Sequence, residues 1–89
     1  MVAVKRLVLD VLKPHQPNAL VFSQTLAATG AGYRVQLTVS EVDEHTETLR
    51  IVIAGDALEF DAIESAIKRM GGSLHSIDEV EVHSGDGAG

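Results

Sequence analysis

Eighty-nine residues, 45% of them apolar, no cysteine and a formal charge of −6 describe one small acidic domain without disulfides, thiolate metal sites or thiol chemistry. Charge of that sign disfavours non-specific binding to nucleic acid and to anionic membrane surfaces. No apolar run is long enough to span a bilayer, and "MVAVKRLVLD" carries charge where a signal peptide needs an apolar stretch, so a cytoplasmic location is expected.

Residues 4–13 have strand character. Lys5, Leu7, Leu9 and Val11 share one face, and Arg6, Val8, Asp10 and Leu12 share the other. Apolar residues on both faces predict a central strand, ended by Pro14 and Pro17. Asn18 is the expected cap of a helix running to Thr29, with Ala19, Phe22 and Leu26 as its buried stripe. Residues 33–43 alternate, with Tyr33, Val35, Leu37 and Val39 on one face. Residues 48–54 alternate again through Leu49, Ile51 and Ile53. "DEHTE" (43–47) lies between them as a polar, solvated hairpin turn. Phe60, Ile63, Ile67 and Met70 recur at helical spacing. Glu59 stands at the cap, Leu58 and Ile63 can staple it, and Gly71-Gly72 ends the helix. Residues 74–83 form a last strand in which Leu74 and Ile77 have opposite parity, so a bulge is needed.

The order βαββαβ predicts a ferredoxin-like α+β sandwich over residues 1–83. Two helices would cover one face of a four-stranded antiparallel sheet, and residues 84–89 would be a flexible glycine-rich tail.

Helices cover one face only, and the Leu7/Leu9/Val11 row best fits it. Asp10 is then expected on the open face, where an unpaired carboxylate must be hydrated, paired or bound to a cation. An ion pair with Arg50 or Arg6 is the plain reading. The sharper one is an oxygen-ligand site for calcium or magnesium built from Asp10, Asp78 and Glu79. Lys13 and His15, in the loop "KPHQPN" before the first helix, are candidate anion ligands; a turn shaped by two prolines is the alternative. His75 and Ser76 are adjacent, and strict alternation would send them to opposite faces. Val8, Leu12, Val42 and Val52 are expected to form the apolar core of an interface on the open face.

Most functions familiar on this fold lack their residues. RNA-recognition domains stack bases on sheet-face aromatics, and here the aromatics are Phe22, Tyr33 and Phe60, both phenylalanines on core stripes. Metal chaperones and iron–sulfur ferredoxins need cysteines. Acylphosphatase-like catalysis needs an arginine in the loop after the first strand, and "KPHQPN" has none. Small-ligand regulatory modules and self-assembling modules survive.

Together, "RLVLDVLKPHQP", "VSEVDEHTETLRIVIAG" and "GGSLHSIDEVEV" resemble an archaeal family, domain-of-unknown-function family 211, over residues 4–82. Asp10, Lys13, Pro14, His15, Pro17, His75, Ser76, Ile77, Asp78 and Glu79 match its motifs. The resemblance implies a ferredoxin-like fold, no assigned activity or catalytic residues, and homo-oligomeric rings of about six or seven subunits. The expected function is a non-enzymatic, homo-oligomeric binding or regulatory module holding a divalent cation or small anion at subunit contacts. The alternatives are an accessory subunit docking on another protein, and an acid–base enzyme using Asp10, His75 and Asp78 across a subunit boundary.

Overall fold

A computed structural model of the chain describes residues 1–84. Its elements are β1 (Val2–Pro14), α1 (Ala19–Ala27), β2 (Arg34–Val42), β3 (Thr46–Ala54), α2 (Phe60–Arg69) and β4 (Ser73–Ser84). The strands form one antiparallel sheet in the order β2-β3-β1-β4, the ferredoxin-like arrangement. Ser84, expected to begin the tail, is the last residue of β4; residues 85–89 lie outside the described residues. Among the described residues, no helix is long and apolar enough to cross a membrane.

The core lies between the helices and one face of the sheet. Leu7, Leu9 and Val11 of β1 and Leu49, Ile51 and Ile53 of β3 pack there against Phe22 and Leu26 of α1 and Ile63, Ala66 and Ile67 of α2. Full burial of such a side chain contributes about 1.5–3 kcal/mol, so this double row outweighs any surface ion pair in holding the fold.

Both helix starts are held by polar contacts. The Asn18 side chain accepts the Val21 N–H at 2.9 Å. The helix ends two residues earlier than expected, because the Leu26 carbonyl accepts both the N–H and the hydroxyl of Thr29 (3.1 and 2.7 Å) and closes the turn. Glu59 stands at the N-cap of α2 without a side-chain cap bond, and the Tyr33 hydroxyl accepts its N–H at 2.7 Å instead. α2 closes in a paired 6→1 and 5→2 turn. Gly72 N–H bonds the Ile67 carbonyl, Gly71 N–H bonds the Lys68 carbonyl, and Gly71 adopts φ +85°.

Strand length exceeds helix length. At roughly 3.3 Å per strand residue and 1.5 Å per helical residue, β4 is about 40 Å long and α2 about 15 Å. The helices therefore leave much of β4 bare on their own side of the sheet. Ile77, Val80 and Val82 are 45%, 53% and 49% exposed.

β4 joins β1 in a register that shifts three times, between Val4 and Arg6, Val8 and Leu9, and Asp10 and Val11. Two shifts leave Asp78 and His75 as extra residues of β4. Each lets a run of three residues match two on β1, so Leu74, Ile77 and Val80 all fall opposite the core row Val11, Leu9 and Leu7. The third leaves Lys5 as the extra residue of β1.

Candidate functional site

Lys13 and Glu47 are register partners at the ends of the two buried rows of β1 and β3. The Lys13 side chain is fully buried, and no buried side-chain polar atom among the described residues lacks a partner. Its Nζ donates to the Pro14 and Pro17 carbonyls at 2.9 Å each, with the His15 carbonyl at 3.4 Å, and meets Glu47 Oε1 at 2.8 Å. The loop "KPHQP", with a cis Gln16–Pro17 peptide bond, is wrapped around this ammonium. Glu47 Oε2 takes His15 Nδ1 at 3.0 Å, while His15 Nε2 lies 3.0 Å from the Glu44 carbonyl. One carboxylate thus ties the β1–α1 loop to the β2–β3 hairpin.

Both acceptors around His15 lack a proton to give, so each ring nitrogen donates and the imidazolium is favoured. The bond to the Glu47 carboxylate, aided by the Glu44 carbonyl, raises the His15 pKa above its ordinary 6.5. The bonds from Lys13 and then from His15 lower that of Glu47 below 4.5. Lys13 and His15, expected as anion ligands, hold the chain's own Glu47 carboxylate in this structure.

Asp10 lies where expected, half-buried on the open face, between Arg50 of β3 and Ser76 of β4. Among the described residues no ion pair forms at Asp10: Arg6 instead pairs with Glu79 at 2.6 Å. Asp10, Leu12, Thr48 and His75 line a hollow of about 260 Å³. The bulge at His75 puts this histidine on the same side as Ser76, the register partner of Asp10, where strict alternation had separated them.

The three carboxylates proposed for a cation have different neighbours. Asp78 Oδ1 accepts the Ser76 hydroxyl at 2.7 Å, Glu79 holds Arg6, and Asp10 faces the hollow. Among the described residues no group of three or more histidine or acidic side chains could hold a metal ion. The four apolar residues expected on the open face also divide. Leu12 is exposed and Val52 half-buried, but a register shift at Ser40 sets Val42 opposite Glu47, on the helix side of the sheet, and Val8 is 1% exposed and closed within its own protomer. Val8 therefore offers no area to a partner. The larger apolar stripe is Ile77, Val80 and Val82, on the side of the sheet that the helices were expected to cover.

Fold and surface together define a ferredoxin-like domain with a closed polar clamp at one end and an open-edged sheet. The chain belongs to the DUF211 family, described as uncharacterized ArCR, whose model matches residues 5–86. It is 41% identical over 80 residues to the uncharacterized protein MJ0319 of Methanocaldococcus jannaschii, covering 90% of this chain and 82% of that protein.

Proposed function

We propose that the protein is a non-catalytic binding or regulatory module of the cytoplasm that works as a homo-oligomer, successive copies joining β4 to β2. The half-exposed stripe Ile77, Val80 and Val82 on an edge strand carries this reading. Strand direction supports it. β2 and β4 run in opposite directions at opposite edges, so placing one copy's β4 beside the next copy's β2 continues the antiparallel sheet without inverting either copy. The helix-side stripe of β4 then meets Val35, Leu37 and Val39 of β2, of which Val39 is exposed. Such a head-to-tail contact closes into a ring when its rotation allows, and about six or seven copies is the size the family resemblance implies.

A divalent cation, calcium or magnesium, fits this reading only between copies, where Asp78 or Glu79 of one protomer would be joined by oxygens of the next. Light scattering on protein purified without chelator tests the assembly. A mass several times 9.5 kDa supports it, and a monomer with and without calcium or magnesium contradicts it. A mass that falls when chelator is added places a cation at the contacts.

A further inference from the structure

Arg34, Ala54, Arg6 and Glu81 form one cross-strand row over all four strands. The two arginines flank an alanine, so their Cα atoms are about 10 Å apart with only a methyl group between them. The β1 bulge adds Lys5 beside Arg6. The result is a hollow of about 380 Å³ at the end of the sheet, lined by Lys5, Arg6 and Arg34 together with Ala54, Gly55, Asp56, Glu81 and His83. Three of the chain's seven Lys and Arg residues line this one place, in a protein of net charge −6.

Their partners are unevenly distributed. Arg6 is held by Glu79, and Glu81 is engaged by His83 at 2.9 Å. Lys5 and Arg34 make no ion pair among the described residues. Asp56 and Glu81 line the same hollow but neither is in ion-pair contact with Lys5 or Arg34, so an oxyanion entering between the two cations meets free N–H donors and accepts the planar fork of a guanidinium.

We propose that this hollow binds a small phosphate monoester through its phosphoryl oxygens, with Arg34 and Lys5 as direct ligands and Arg6 as a third, shared charge. The lining belongs to one protomer, but Arg34 stands on β2 and Glu81 on β4, the two edges that the assembly reading joins. The titration is therefore run on the unaltered protein and on folded Val80→Lys: binding that survives in Val80→Lys belongs to the protomer whatever the assembly does. Amide chemical shifts are followed while the protein is titrated with inorganic phosphate and with glycerol 2-phosphate, against chloride at equal ionic strength. Saturable shifts at Lys5, Arg34, Ala54 and Gly55 are expected, with the monoester competing for the same site. Arg34→Gln and Lys5→Gln, both surface changes checked by circular dichroism, each weaken binding about tenfold. Glu81→Gln tightens it by removing a like charge. Linear, unsaturable shifts, a monoester that does not compete, or unchanged affinity in folded Arg34→Gln would overturn the proposal.

Discussion

Lys13 is the residue on which the loop before α1 depends. Lys13→Met keeps the stem but leaves the Glu47 carboxylate and the Pro14 and Pro17 carbonyls without their donor. Glu47 is partly exposed and keeps His15, so the loss is that of buried hydrogen bonds from a charged donor, about 2 kcal/mol, and in a domain this small the thermal midpoint falls by roughly 10 °C, measurable by calorimetry. The same clamp sets a pH dependence. Because folding raises the His15 pKa above 6.5, its stabilisation is complete below 6.5 and is lost as pH rises through the raised value. Because folding lowers the Glu47 pKa below 4.5, that stabilisation is present above 4.5 and is lost as pH falls through the lowered value. Denaturant midpoints plotted against pH should therefore crest between about 4.5 and 6.5, and Glu47→Gln should flatten both flanks. Half of this clamp was legible in advance. Lys13 continues the parity of Leu9 and Val11, and Glu47 that of Leu49 and Ile51, so opposite charges end two apolar rows. Reading 43–47 as one solvated turn hid Glu47, since β3 begins at Thr46 and the turn closes with Asp43 N–H on the Thr46 carbonyl.

At the scale of elements, every strand and helix could be anticipated from periodicity, and the boundaries moved by one or two residues. β4 resisted a simple period-two reading because its apolar residues recur every third position through Ile77 and Val80. The bulges at His75 and Asp78 absorb the mismatch, and they crowd polar side chains toward Asp10 on the other face. The turn between α2 and β4 is as tightly specified. A Cβ on buried Gly72 would lie 3.0 Å from Ile67 Cγ2, 3.2 Å from the Ile67 carbonyl and 3.3 Å from the Phe22 ring. The carbonyl is backbone and cannot swing aside, so Gly72→Ala should cost about 2 kcal/mol in urea unfolding. Gly71→Ala, limited mainly by its φ of +85°, should cost about 1 kcal/mol. A neutral Gly72→Ala would show that α2 can slide over the sheet.

For the whole molecule, short helices on long strands decide which surfaces remain sticky. The expectation of an adhesive open face assumed that two helices cover the other face completely. It also assumed that Val8 is accessible, whereas Val8 is closed off at 1% exposure. Neither helix coverage nor that closure can be counted from alternation, because both depend on three-dimensional lengths and on bulges. What remains is a sheet with two unpaired edges and an apolar stripe along one of them. Sedimentation velocity of Val80→Lys beside the unaltered protein probes this stripe directly, because residue 80 is exposed and its change leaves the core intact. The unaltered protein should sediment as a multiple of 9.5 kDa and the folded variant as a species of about that mass. A folded variant that sediments with the unaltered protein would contradict assembly through β4.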